Sequence, residues 1–481
     1  MTIEKNRDLK ICKQPLLLAL LFGTLSFSLS SVVNAEDQPL TETTEARIEE
    51  EMPVVEEEQV AEVEPIVENA LGAIKNANAE GTIPVWDGGI QKPIPGYKKG
   101  DHHPDPFDGE KPLFKITGAT VDQYQDKLSP GQIEMFKKYP TYYMNIYPTH
   151  RSTAYPQKVY DAVAVNAQKA KLIEDGNGVS GARITSPFPN PKDGLEAVWN
   201  HLLRYRGEKV KRRSGQANPT PSGSYTMIMF EDDLLMNYAL DSYQEGDNIF
   251  AYFTQRIVEP ARLSGEILLI HETINQVKEP RHSWTYNPGQ RRVRRAPNIA
   301  YDNPGTASDG LRTNDQLDMF NGAPDRYEWK LLGRKEMFVP YNAYKVHSDK
   351  LKYDDIIKPG HLNPEHMRYE LHRVWVVEGT LKSGTSHIYS KRTFVIDEDS
   401  WSILVADHYD SRGTIWRVAE AHCINYYEVP VFWTTLEVVY DLRSGRYTAN
   451  GFDNQEPVYN YSTNVTAADF KPETLRRAGL R

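Results

Sequence analysis

The sequence predicts a mainly β (α+β) protein built on one large antiparallel sheet, curled into a barrel or half-barrel and preceded by helices. Three observations carry this. About a dozen short runs after Gly223 alternate β-branched, aromatic and polar residues. No helical run interrupts them, which excludes βαβ crossovers. Three helical runs sit together N-terminal to them, where helices can cover the concave face of a sheet.

The chain opens on an address. Lys5, Arg7, Lys10 and Lys13 precede an apolar run from Leu16 to Phe27, and Val33 and Ala35 stand at the −3 and −1 positions of a cleavage site. This is the pattern of a secretory signal peptide, residues 1–35, cut after Ala35. A membrane anchor over Pro15–Val33 is the alternative, and its five Ser/Thr argue against it. Residues 36–79 follow as an acidic tether expected to be disordered, because blocks of like charge with scattered Val and Pro do not collapse. The formal net charge of −10 divides unevenly: residues 1–35 carry +2, residues 36–70 carry −12, and the rest is neutral. A neutral body offers no basic field, so nucleic acid is not an expected partner.

The body is expected to run from 80 to 481. Prolines at 84, 93, 95, 104, 106 and 112 forbid a long helix or central strand, so 80–120 reads as an extended arm anchored by Trp86, Tyr97 and Phe107. His102-His103 lacks a second ligand pair at suitable spacing, and neither a metal nor a cofactor is expected. Residues 121–207 hold the helices. Ser129-Pro130 caps the first, Tyr155–Ile173 repeats Val and Ala at helical spacing, and Asp193-Gly194 caps a third carrying Leu195, Val198, Trp199, Leu202 and Leu203 on one side. The strands are expected at Ser224–Phe230, Asn248–Ile257, Arg262–Asn275, Ser283–Tyr286, Arg291–Arg295, Tyr327–Phe338, Arg368–Lys382, His387–Asp397, Trp401–Asp410, Thr414–Glu428, Leu436–Asp441 and Tyr447–Phe452.

Chemistry is hard to find in the pattern. There is no G-x-S-x-G elbow, no H-E-x-x-H, no P-loop, and no G-x-G-x-x-G after a strand. Cys12 leaves with the leader, so Cys423 has no partner for a disulfide and reads as a buried structural thiol. Asp397, Glu398 and Asp399 stand in a hairpin turn, where acidic residues are ordinary. Catalytic residues are therefore expected to be none. Arg291, Arg292, Arg294 and Arg295 are read two ways: as a solvated hairpin paired with Asp302, Asp309, Asp315 and Asp318, or as a cationic rim that meets an anionic head group.

The segments GTIPVWDGG (81–89), DPFDGEKPLF (105–114), GLEAVWNHLLRYRG (194–207), NGAPDRYEWKL (321–331) and DSWSILVADHYDSRG (399–413) stand out, with the W-x-Y-x-P and R-R-x-R-R pair within 271–312. Together they resemble a bacterial family, Domain of Unknown Function 1329, within the LolA/LolB-like superfamily of outer-membrane lipoprotein-sorting proteins. The resemblance spans roughly residues 80–481 and leaves the acidic segment without counterpart. It implies an unclosed antiparallel barrel of LolA type, lidded by helices and wrapped round an apolar cavity. It also implies a periplasmic, Gram-negative envelope setting and partners among outer-membrane β-barrel proteins or resistance-nodulation-division-type exporters.

The expected function is accordingly a periplasmic carrier or chaperone for lipid, lipoprotein or acylated cargo. Phe250, Tyr252, Leu268, Ile270 and Trp375 are the candidate cavity lining, with Trp199, Leu202 and Leu203 as the lid. The alternatives are a non-carrier interaction module of an envelope complex and a hydrolase whose site does not show in sequence. A cavity of several hundred Å³ favours the carrier, a solid core the module, and a polar cleft of convergent groups the enzyme.

Overall fold

The computed structural model describes residues 67–296 and 301–479; the leader, Ala35 and most of the acidic segment lie outside the described residues. Six α-helices are α1 (Pro130–Lys138), α2 (Gln157–Lys169), α3 (Gly194–Leu203), α4 (Tyr344–His347), α5 (Tyr353–Ile356) and α6 (Pro472–Ala478). The strands are β1 (Phe114–Thr117), β2 (Tyr143–Ile146), β3 (Lys171–Ile173), β4 (Gly178–Ser180), β5 (Lys209–Ala217), β6 (Ile228–Leu235), β7 (Ile249–Glu259), β8 (Ile267–Thr273) and β9 (His282–Asn287). They continue with β10 (Arg292–Arg295), β11 (Tyr327–Pro340), β12 (Tyr369–Leu381), β13 (Lys391–Asp397), β14 (Ile403–Tyr409), β15 (Ile415–Tyr426), β16 (Val431–Asp441) and β17 (Arg446–Phe452).

Fifteen of these strands form one sheet, in the order β1-β2-β12-β13-β14-β15-β16-β17-β5-β6-β7-β8-β9-β10, with β11 beside β12. The order has two free ends, so the sheet is not closed into a barrel. Every pairing is antiparallel except a single parallel contact of Tyr369 with Ile146. β3 and β4 make a separate hairpin.

Local chemistry sets the three expected helices, whereas the short α4 and α5 between β11 and β12, and α6 after β17, stand where no helix was expected. Ser129 accepts from Gln132 N and Gln132 reaches back to Ser129 N, a full capping box with Pro130 at the first helical position. Asp193 caps α3 by accepting from Glu196 N. The second helix ends at Lys169, short of the expected Ile173, because 171–173 pairs with 178–180 as a hairpin.

The helices occupy both faces of the sheet. Asp407 accepts from Ser129 Oγ (3.0 Å) and Gly131 N (2.9 Å), and Glu420 accepts from Gln132 Nε2 (3.2 Å), so α1 covers the face those carboxylates share. Gly131 is required there: a Cβ would lie 2.1 Å from Asp407 Oδ1. Glu420 pairs in register with Val438, so neighbouring Glu437 points to the opposite face. That face is filled by α3 and by the segment following residue 301. His201 meets the Asp318 carbonyl at 3.0 Å, and Met319 N donates to Glu437 (3.1 Å). Phe320 packs against Trp329 and Phe394 at 5.6 and 5.4 Å. β12 to β16 are therefore buried on both faces, and most of the polar groups that enter the interior do so with partners, although both ring nitrogens of His422 have none among the described residues.

The chain is laid on the sheet ahead of residue 80, where sequence places the end of the disordered tether. Leu71 is buried and its carbonyl accepts from Trp401 Nε1 (3.1 Å), while Arg373 donates to the carbonyls of Ile74 and Asn76 (3.3 and 2.9 Å). Leu71 and Ile83 are buried there and Ile74 half-buried, and these three are the segment's apolar anchors.

Candidate functional site: an apolar groove and a buried proton chain

Tyr459 lines two hollows. One is a groove of about 560 Å³ between the Pro-rich arm and the 457–462 turn, walled by Pro93, Tyr97, Val429, Pro457, Val458 and Tyr461, with Lys99 and Glu428 as its charged groups. The other is a cleft of about 70 Å³ beside β6, β7 and β16, lined by Leu234, Met236, Phe250, Tyr252, Phe253 and Trp433 and flanked by Arg206, Arg212, Glu272, Asp318 and Glu437. Small-molecule pockets run from about 300 to 1,000 Å³. The groove has that room, and the cleft does not.

Aromatic packing builds the groove wall. Tyr97 stacks on His103 (5.1 Å) and meets Tyr427 edge-on (5.2 Å), which holds the arm against β15. Tyr426 stacks on Tyr459 (5.4 Å), and the Arg212 guanidinium lies over Trp433 and Tyr459 at 5.2 and 5.8 Å. The hydroxyls of Tyr426, Tyr459 and Tyr461 are buried without a hydrogen-bond partner among the described residues. An unpartnered buried polar group costs about 1–3 kcal/mol, so these hydroxyls are a cost that the aromatic packing of the wall offsets.

Glu428 begins a hydrogen-bonded chain that leaves the groove for the interior. Its Oε2 lies 2.6 Å from His103 Nε2, His103 Nδ1 lies 3.0 Å from His347 Nε2, and His347 Nδ1 lies 2.8 Å from Asp453 Oδ2. Thr435 Oγ1 also donates to Asp453 Oδ2 (2.8 Å). Three bonds need three protons, and two neutral imidazoles bring two. One further proton completes the chain, which then holds two carboxylates and one positive charge. Burial pulls the His103 imidazole below its ordinary range, and its hydrogen bond to Glu428 offsets part of that. The arrangement joins Glu428 at the groove to the buried Asp453 through two imidazoles. Neither Ser nor Cys stands in it, and burial pushes the Cys423 thiol up to about 12, where it is inert.

The residues singled out in sequence fall in several places. Phe250 and Tyr252 line the cleft. Ile270 packs with Phe253 and Leu268 in a small cluster, and Leu268 also lines a separate hollow of about 280 Å³ with Ile257 and Tyr286. Trp199, Leu202 and Leu203 are core residues, with Trp199 Nε1 donating to the Gly176 carbonyl (3.0 Å). Trp375 stacks on Trp401 (6.1 Å) beneath Arg334 (4.3 Å), away from both hollows. Arg291, Arg292, Arg294 and Arg295 are exposed on the β9–β10 hairpin. Their expected aspartate partners are engaged elsewhere: Asp309 with Arg446 (2.7 Å), Asp315 with Arg392 (2.7 Å), Asp318 with Arg204 (2.7 Å) and Asp302 with Arg326 (3.9 Å). The groove residues Tyr97, Val429, Val458, Tyr459 and Tyr461 were not foreseen. The Tyr459-x-Tyr461 alternation was the available signal, and it lies beyond the last expected strand.

A model of the family described as a protein of unknown function (DUF1329) matches residues 115–476. The chain belongs to the DUF1329 family. An uncharacterised protein of Pseudomonas aeruginosa is 51% identical over 415 residues, covering 85% of this chain and 91% of that protein. The DUF1329 fold is also similar to two solved structures. A family protein from Desulfovibrio piger is 15% identical, with a TM-score of 0.39 over 56% of this chain and 92% of that one. A LolA superfamily protein from Nitrosomonas europaea is 14% identical, with a TM-score of 0.35 over 58% and 98%. No helix among the described residues of this DUF1329 chain is long and apolar enough to cross a membrane.

Proposed function

We propose that this DUF1329 chain is a carrier for an amphiphile with an acyl tail, exported to the periplasm and working with an outer-membrane system. The observation that carries the reading is the 560 Å³ groove, whose walls are mostly apolar and whose Lys99 offers a cation to an anionic head. Transfer of an acyl chain from water is worth about 0.8 kcal/mol per buried CH₂, so such a groove binds without catalytic groups. The leader at 1–35 supplies the export step. The test is titration with a fluorescent fatty acid. Val458→Asp sets a carboxylate on a half-buried groove wall and is expected to weaken uptake at least tenfold, or about 1.4 kcal/mol, without changing the circular dichroism spectrum. Equal uptake by both proteins would place the ligand elsewhere.

A second reading rests on the β9–β10 hairpin. Its four arginines are exposed and none has an ion pair among the described residues. They form a cationic edge suited to anionic lipid head groups. Replacing all four by Gln is expected to abolish sedimentation with phosphatidylglycerol vesicles, as is raising the salt to about 1 M, where charges are screened within about 3 Å. Sedimentation that survives both changes would remove the hairpin from consideration.

A further inference from the structure

The acidic turn after β13, expected to be a solvated corner, is buried: Asp397, Glu398 and Asp399 expose 0%, 2% and 2% of their surface. Beside them on β12 stands His372, also buried. One ligand atom from each of His372, Asp397 and Asp399 lies within 4.8 Å of the others.

Each of the three is already oriented by its own partners. His372 Nε2 lies 3.1 Å from Glu370 Oε2, and the Tyr341 ring stacks on the imidazole at 3.8 Å. With Nε2 donating to a carboxylate, Nδ1 is the nitrogen left with a lone pair. Asp397 Oδ2 accepts from Ser400 Oγ (2.6 Å) and Tyr341 Oη (3.2 Å). Asp399 is gripped by Arg151 through both oxygens (2.8 and 2.6 Å). A carboxylate orienting the far nitrogen of a histidine is the arrangement that tunes metal-binding imidazoles.

Asp397 Oδ1 is the independent sign. It is fully buried and has no hydrogen-bond partner among the described residues. Charge points the same way. Arg151, Arg334, Arg368 and Arg373 between them pair with six carboxylates, and Asp397 is a seventh that none of them reaches. Within the buried part of this network three guanidiniums, Arg151, Arg368 and Arg373, accompany four carboxyls, Glu370, Asp397, Glu398 and Asp399.

We propose that His372, Asp397 and Asp399 bind one divalent transition-metal cation, Zn²⁺ before Mn²⁺, that pins the 67–86 segment to the sheet. One imidazole and two carboxylates suit these ions better than Ca²⁺ or Cu⁺. Tetrahedral zinc with bonds of about 2.0–2.2 Å places its ligand atoms about 3.3–3.6 Å apart, so ligand atoms that now stand as much as 4.8 Å apart close by up to about 1.5 Å on binding. The link to the segment is direct. Arg151, which holds Asp399, also donates to the carbonyls of Lys75 and Pro84 (3.3 and 3.4 Å), and Ile74 N donates to Glu398 (3.3 Å).

The test is elemental analysis of the full chain after loading with Zn²⁺ or Mn²⁺ and dialysis. About one ion per chain is expected in the wild type, with at least tenfold weaker binding in Asp397→Asn and in His372→Gln. EDTA is expected to expose the 67–86 segment to trypsin. One Mn²⁺ lost from the same two variants would support the site with the other metal. A wild type that takes up no stoichiometric metal, with trypsin protection unchanged by EDTA, would overturn the proposal whether or not the variants fold. So would equal metal content in all three proteins.

Discussion

Asp318→Asn is expected to destabilise the fold by about 3–5 kcal/mol, seen as a lower midpoint in urea. Asp318 stands on the filled face of the sheet, where Arg204 Nη2 (2.7 Å), Arg206 Nη1 and Trp433 Nε1 (3.1 Å) all donate to its carboxylate. Burial alone would raise its pKa. Arg204 and Arg206 more than reverse that and hold the carboxyl well below the ordinary range. The amide keeps the shape and removes the charge, leaving two buried guanidiniums uncompensated. The control is Asp309→Asn. It breaks an ion pair of nearly the same length, 2.7 Å to Arg446, but Asp309 is 56% exposed and the expected cost is below about 1 kcal/mol. Equal costs for the two variants would mean that burial does not set the value of these pairs.

Glu420→Gln is expected to stabilise the protein at pH 8 by up to about 3 kcal/mol and to change it little at pH 5. Burial pushes the Glu420 carboxyl up to about 7, and hydrogen bonds from Gln132 and Tyr369 offset part of the rise. A carboxyl with a raised folded pKa contributes stability that is fully present below its unfolded value of 4.5 and lost as pH rises through about 7. The shift from 4.5 to about 7 converts to the figure given at about 1.4 kcal/mol per pH unit. Glutamine mimics the protonated acid and removes that loss. Urea unfolding at pH 5, 6, 7 and 8 checks it: the gap between variant and wild type should widen across the series. A gap that stays constant would mean that Glu420 does not titrate in this window.

Strand after strand was legible because turns and alternation are local. β11, β12 and β15 fall where their Val, Trp and Tyr runs place them, β16 begins at Val431 rather than the expected Leu436, and the caps of α1 and α3 are written in Ser129-Pro130 and Asp193-Gly194. β5 was missed because Lys209, Lys211, Arg212 and Arg213 look like a solvated turn. Its strand character depends on β6, which sets Asp233, Asp232 and Glu231 opposite Lys211, Arg212 and Arg213. The same holds for the site. Tyr97 and Tyr459 lie far apart in sequence and meet only when the arm folds over β15. Glu428, His103, His347 and Asp453 come from a turn, the arm, α4 and the end of β17, with no spacing to join them. The buried acidic turn was read as exposed because sequence carries no sign of the arginines, up to some 250 residues away, that accompany it.

The central claim is that the groove holds an amphiphile, and the most direct measurement is native mass spectrometry of the full chain purified from the periplasm of an exporting host. The account predicts a population heavier than the polypeptide by one lipid-sized mass, reduced in Val458→Asp and recovered as an acylated molecule on organic extraction. A wild-type protein that flies at its polypeptide mass alone, yields no lipid on extraction and takes up no fluorescent fatty acid would contradict it.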